Sequence, residues 1–297
     1  MEGVMIATNG VVGNTSDRRH VSGMTFDEER ALYNLRDAVV ENCTFSGPND
    51  GESALKESRD IVVRGCTFDL RYPVWHTHEF TMEGCRLTEN CRAPLWYSSD
   101  GILSDTVVSG VKCLRECDDI AVRGCRIGSP EFGWKCRGIK IEDSEIESEY
   151  IFLDSSHLRI DGMIMKGKYS FQYTEDVVLE RSSLETKDAF WHSRNVTLRD
   201  CDVRGEYLGW YSENLTLIGC RISGTQPFCY CRNLKLIDCT MEGTDLAFEY
   251  SDVDAEVKGH VESVKNPRSG RIHAGSIGRV VLEDQVMECS CEIVTDD

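Results

Sequence analysis

Asn195-Val-Thr-Leu-Arg-Asp-Cys-Asp-Val203 returns nineteen residues later as Asn214-Leu-Thr-Leu-Ile-Gly-Cys-Arg-Ile222, and nineteen after that as Asn233-Leu-Lys-Leu-Ile-Asp-Cys-Thr-Met241. With the cysteine as position 0, apolar residues stand at −5, −3 and +2, and Asp or Gly stands at −1. Self-similarity at a fixed period marks a stacked-repeat architecture, so it decides the fold before any local propensity does.

Extended both ways, position 0 falls on Met24, Cys43, Cys66, Cys85, Thr106, Cys125, Ser144, Met163, Ser182, Cys201, Cys220, Cys239, His260 and Gln285. The spacings are 19, 23, 19, 21, then seven of 19, then 21 and 25, which makes fourteen turns of one motif. Thirteen of the fourteen −1 positions hold Gly, Asn or Asp, the residues that enter the left-handed region at low cost, and only Arg181 departs from that pattern. Each −1 position therefore reads as a tight bend between two short strands.

The strand before the bend alternates, as in Ile139-Lys-Ile141, and after it positions 0 and +2 point inward. A third strand is expected around −12 to −8, after a turn often holding Gly or Ser at +4. Three strands and three bends per turn describe a right-handed parallel β-helix, an all-β solenoid of about 14 rungs. At a rise of about 4.8 Å per rung it would be a rod of roughly 65 Å. Nineteen is a multiple of neither five nor six, which removes the pentapeptide and hexapeptide helices. A leucine-rich repeat would need a helix where this chain has Phe190-Trp-His192, Gly209-Trp-Tyr211 and Phe228-Cys-Tyr230.

Unbroken periodicity predicts one elongated domain over 18–288, preceded by an N-terminal extension or cap at 1–17 and followed by an acidic tail at 289–297. The start lacks a basic, apolar and cleavable leader and no apolar run is long enough to span a membrane, so a cytoplasmic protein is expected. Seven of the fifteen cysteines share column 0, which predicts small buried core residues in a reduced interior. No Cys-x-x-Cys occurs, and neither a metal nor a cofactor is expected. A net charge of −18 speaks against nucleic acid and anionic membranes as partners.

Candidate chemistry lies in the third-strand columns. Position −10 holds all five tryptophans, Trp75, Trp96, Trp134, Trp191 and Trp210, and position −9 holds His76, Tyr97, Glu116, Lys135, Asp154, Tyr173, His192 and Tyr211. Strict alternation leaves open which column faces out, since either choice buries polar groups, and requires a kink nearby. An aromatic stripe suits stacking on an oligo- or polysaccharide; it equally suits covering a narrow core. His76, His192, Glu116, Asp118, Asp154 and Lys135 are the candidate acid–base groups, with Glu116 and Asp118, or Glu116 and Asp154, as a carboxyl pair for hydrolysis, while lyase-type proton abstraction could draw on Lys135, Arg137, Arg115 or Arg194. The plainer reading of Glu116, Lys135 and Asp154 is an ion-pair ladder on the surface. The competing function is a non-enzymatic scaffold that self-associates as a homo-oligomer.

Several runs give the chain a likeness: Glu29-Arg-Ala-Leu-Tyr33, Asp50-Gly-Glu-Ser-Ala-Leu-Lys56, Leu70-Arg-Tyr-Pro-Val-Trp-His76, Pro130-Glu-Phe-Gly-Trp-Lys135, Gly167-Lys-Tyr-Ser-Phe-Gln-Tyr173, Thr186-Lys-Asp-Ala-Phe-Trp-His192, Gly205-Glu-Tyr-Leu-Gly-Trp-Tyr-Ser-Glu-Asn214 and Ala247-Phe-Glu-Tyr-Ser-Asp252. From about Phe26 onward it resembles a mainly bacterial, intracellular family of unknown function in the pectin-lyase-like right-handed β-helix group. The resemblance implies the fold and supplies no catalytic residue.

Overall fold

The computed structural model describes residues 18–47 and 51–296; the expected extension or cap at 1–17 lies outside the described residues. Among the described residues there is no helix, and every strand joins one array through parallel pairings, making a right-handed β-helix of about fourteen turns.

The first face is built from six-residue strands such as Arg194–Arg199, which lies between Glu175–Glu180 and Glu213–Ile218 with Val177, Val196 and Leu215 in register. The second face carries strands such as Asp202–Glu206. The third forms true strands in four successive rungs, Val74–Trp75, Leu95–Trp96, Cys113–Arg115 and Glu131–Trp134, and in most other rungs a tight turn whose backbone still bonds to its neighbours. The expected third strand is thus a strand in only part of the rod. The acidic stretch at 289–297 contains a last strand, Glu292–Thr295, paired in parallel with Arg271–Ala274.

The bend explains two columns of sequence. All fourteen −1 residues have positive φ, from 44° to 80°, and Arg181 is among them at 44°. The carbonyl at −2 accepts the backbone N–H of the preceding rung's −1 residue, and the side chain at 0 adds a second donor to it: Ser144 to Glu142 at 2.8 Å, Thr106 to Ser104 at 2.9 Å, Cys66 to Arg64 at 3.3 Å and Cys201 to Arg199 at 3.2 Å. A small donor is what the position needs, so Cys, Ser and Thr exchange there. Their neighbours at −1 alternate for a steric reason. A Cβ on Gly219 would stand 2.6 Å from the Asp200 carboxylate, and one on Gly162 would stand 2.5 Å from that of Asp143.

Inside, like side chains stack on like. Phe45 and Phe68 lie 4.8 Å apart and nearly coplanar, and Phe152, Phe171 and Phe190 form a buried ladder at 5.6 and 5.1 Å. The seven column cysteines are buried thiols; burial pushes Cys66 up to about 12 and Cys85 to about 11, which suits packing rather than reactivity.

Candidate functional site

The kink demanded by the third face is a left-handed residue at −9. All eleven residues of that column, from Asn34 to Tyr230, have φ between 51° and 62°. Because of it, −11 and −8 both point inward while −10 and −9 both point outward: Phe171 and Thr174 are buried, Gln172 is half-buried and Tyr173 is exposed. The buried hydroxyls at −8 are satisfied by the turn itself, as where Thr174 donates to Phe171 and Ser193 to Phe190, each at 2.8 Å. Both aromatic columns therefore line one outer face, with the five indoles half-buried at its floor and the −9 side chains standing beside them.

Along that face the rings lie on one another. Tyr173, His192, Tyr211 and Tyr230 form one ladder with centroids 5.1, 5.0 and 4.8 Å apart and planes within 8°. Trp191 and Trp210 stack at 5.4 Å and 4°, and their indole N–H groups donate to the carbonyls of Tyr207 and Gln226 at 2.7 and 2.8 Å. Stacked this way, the rings spend their faces on each other and turn their edges to solvent. Tyr173 ends its ladder. The next rung carries Asp154 in the same column, and Tyr173 is 56% exposed.

A groove of about 430 Å³ opens at that end, lined by Asp154, Tyr173, Thr174, His192, Arg194, Tyr211 and Glu213. It brings together four of the candidate residues, Asp154, Tyr173, His192 and Tyr211, and adds Arg194, whose guanidinium holds Glu175 at 3.2 Å, and Glu213 from the first face. The other candidates lie elsewhere on the face. His76 bonds Glu57 at 3.1 Å and leans on Tyr97 at 5.3 Å, six rungs from His192, roughly 29 Å at the strand spacing, so the two histidines serve no common site. Trp75 and Trp96 stack at 5.4 Å and Trp134 lies under Arg115 at 5.3 Å. Glu116 accepts from the Tyr97 hydroxyl, which raises the phenol's pKa. Asp118 sits on the first face at the start of Asp118–Arg123. The ion-pair ladder expected of Glu116, Lys135 and Asp154 does not form; Glu116 lies 3.9 Å from Arg115 instead.

A second, larger concavity of about 710 Å³ lies on the other flank of the aromatic face, over the bend that follows the second-face strands. Its walls carry Glu147, Glu149, Lys166, Lys168, Glu185 and Lys187, and its floor is Gly, Ser or Thr at +4. Between it and the indoles run Tyr150, Tyr169 and Tyr207, the first two stacked at 4.9 Å. Sequence reasoning noted the small +4 column and missed the charged walls, although their signal was present: at +3 the charge alternates through Glu147, Lys166, Glu185 and Arg204, and at +5 two lysines, Lys168 and Lys187, stand between Glu149 and Glu206.

A solenoid of parallel rungs with an outer aromatic face and flanking grooves makes the chain a right-handed parallel β-helix protein. Within that class, the model of the family described as "Protein of unknown function (DUF3737)" matches residues 19–294, and the chain belongs to that family. No curated protein matches it. Among solved structures it is similar to PfbA, a surface adhesin of Streptococcus pneumoniae, at 9% identity over 82% of this chain and 86% of that one, with a TM-score of 0.52. It is also similar to the A-module of the Azotobacter vinelandii mannuronan C-5 epimerase AlgE6, at 10% identity over 95% and 91% of the two chains and a TM-score of 0.36. A third likeness is to the catalytic domain of a GH87 α-1,3-glucanase bound to tetrasaccharides, at 9% identity over 94% and 64% with a TM-score of 0.33. At such identities the likeness is one of fold.

Proposed function

We propose that this chain binds an oligo- or polysaccharide on its third face, with the groove at Tyr173 as a sugar subsite. The observation that carries the reading is the open end of the ring ladder: an uncovered tyrosine face beside the Asp154 carboxylate, in one groove with His192, Arg194 and Glu213. A pyranose presents an apolar C–H face to a ring and hydroxyls at its rim, so ring and carboxylate together meet both halves of its surface. From Tyr211 in the groove to Tyr230 beyond it, ring edges repeat once per rung and offer hydroxyls to an extended chain.

Binding fits the geometry better than hydrolysis. The candidate carboxyls Glu116 and Asp154 stand two rungs apart, about 9.6 Å and so at the outer edge of the range of about 5 to 9.5 Å that glycosidases use, and Lys135 lies between them while Tyr97 engages Glu116. The test is a titration of the whole chain with a panel of oligosaccharides, read by tryptophan fluorescence and calorimetry. Tyr173→Ala should weaken binding about tenfold or more, and Tyr173→Phe should keep most of it. A panel in which no saccharide binds, or binding indifferent to Tyr173→Ala, would overturn the reading.

A further inference from the structure

The larger concavity has a charge character unlike the rest of the molecule. On a chain of net charge −18, its walls carry three of the ten lysines, Lys166, Lys168 and Lys187, against three glutamates, Glu147, Glu149 and Glu185, so the groove is locally neutral. Pairing inside it is sparse. Lys166 reaches Glu185 only at 4.0 Å, Lys187 turns to Glu206 at 3.1 Å, and Lys168, Glu147 and Glu149 make no ion pair among the described residues.

An independent feature stands at the groove's end. Asp188 follows Lys187 and occupies the −13 column between Tyr169 and Tyr207 of the neighbouring rungs. The residue is 8% exposed, its side chain makes no hydrogen bond or ion pair among the described residues, and burial raises its pKa against the pull of the Lys187 charge. With no protein donor and its oxygens still reached by solvent, this carboxylate is free to accept from a ligand hydroxyl.

From these two observations we infer that the groove is a second saccharide subsite, selective for a neutral, hydroxyl-rich chain over a charged one. An anionic chain would meet three wall glutamates and Asp188, and a cationic chain three ammonium groups. A sugar hydroxyl accepts from a lysine and donates to a carboxylate, so alternating walls suit it in both capacities. Tyr150 and Tyr169 border the groove on the side of the indoles. This inference rests on the carbohydrate reading and adds ligand charge and a second place of contact.

The experiment uses the whole chain and three hexasaccharide probes: cello-oligosaccharide (neutral), oligogalacturonate (anionic) and chitosan oligomer (cationic), each titrated by calorimetry at low and high salt. The neutral probe should bind best and with little salt dependence. Lys168→Ala, at an exposed position that leaves folding intact, and Asp188→Asn should each weaken it by about tenfold. If the neutral probe binds and Tyr173→Ala weakens it while Lys168→Ala and Asp188→Asn do not, the second subsite is wrong and the carbohydrate reading stands. Tighter, steeply salt-dependent binding of either charged probe also overturns the inference. If no probe of any charge binds, both readings fall.

Discussion

The aromatic face is made twice, and the two versions differ. Between Ser182 and Cys239 the rungs repeat every nineteen residues, and there the rings lie within 8° of parallel and the indoles of Trp191 and Trp210 donate to the next rung. Between Cys43 and Thr106 the spacings are 23, 19 and 21. There Trp75 is capped by the Lys56 ammonium at 3.8 Å, His76 and Tyr97 meet at 57°, and the buried N–H groups of Trp75 and Trp96 find no partner. The same contrast runs down the −6 column. Asn195, Asn214 and Asn233 pass amide bonds along it at 2.9 and 2.8 Å, whereas the early rungs place Asp60, Glu79 and Asp100 there, like charges that cannot exchange such bonds. An equal period lets each rung template the next, so like side chains meet like along the ladder, whereas inter-rung ion pairs such as Arg59 with Glu79 at 2.7 Å and Arg194 with Glu175 at 3.2 Å occur in both parts of the rod.

The largest effect concerns ring stacking itself, and it lies in the core of the equal-period rungs. Phe171 and Phe132 are both fully buried, but Phe171 stacks on two rings while Phe132 meets one, Phe152, edge-on at 70°. Each truncation to Ala should cost about 3–5 kcal/mol. The Phe171→Ala loss should exceed that of Phe132→Ala by about 1 kcal/mol, the worth of an extra ring pair, in urea unfolding of the two variants. Equal losses would mean that burial alone sets the core energy and that regular stacking adds nothing.

Next in size is the asparagine ladder. Asn214→Ala removes two amide bonds and places a Cβ-bearing residue without a polar side chain at φ 55°, which should cost about 2 kcal/mol. Asn214→Gly removes the same bonds but accepts the backbone angle, so it should cost only about 1 kcal/mol. If the two variants melt together, the ladder matters only through its backbone. The indoles give a smaller difference. Trp191→Phe loses a 2.7 Å bond to Tyr207 and should cost about 1 kcal/mol, whereas Trp75→Phe removes an unpartnered N–H and should be near neutral.

The same contrast explains what was legible in the sequence. Columns 0, −1 and +2 could be read because each residue type there answers a local need that recurs: a small donor for the −2 carbonyl, a left-handed bend, an inward apolar group. The parity of the third face could not. Its left-handed residue at −9 is Glu57, His76, Tyr97, Lys135 or Tyr211 in different rungs, and none of these announces positive φ. Ladder bonds impose it instead, as where the backbone N–H of His192 donates to Trp210 and that of Tyr173 to Trp191. Among the candidate residues, the column assignment brought Asp154, Tyr173, His192 and Tyr211 to one groove. Arg194, weighed in the sequence only as a proton-abstracting base, lies there too, whereas Glu213 went unseen because it belongs to the first face and reaches the groove only once the −9 bend sets the angle between faces.

Arg181 is the one place where the regular half breaks its own rule, and it offers the smallest test. Ladder pairing forces φ 44° on a side chain that gains nothing locally from that angle, at a cost of about 1–2 kcal/mol, while its guanidinium recovers part of this by bonding the Asp161 carboxylate in the rung before. Both side chains are well exposed at that pair, so the recovered part is under about 1 kcal/mol and fades with salt. Arg181→Asn, which tolerates the left-handed region, should therefore raise stability by a few tenths to about 1 kcal/mol, with the gain growing as salt is added. If Arg181→Asn destabilises the chain at every salt concentration, the ion pair outweighs the backbone, and regular rungs tolerate a poor −1 residue more cheaply than their sequence implies.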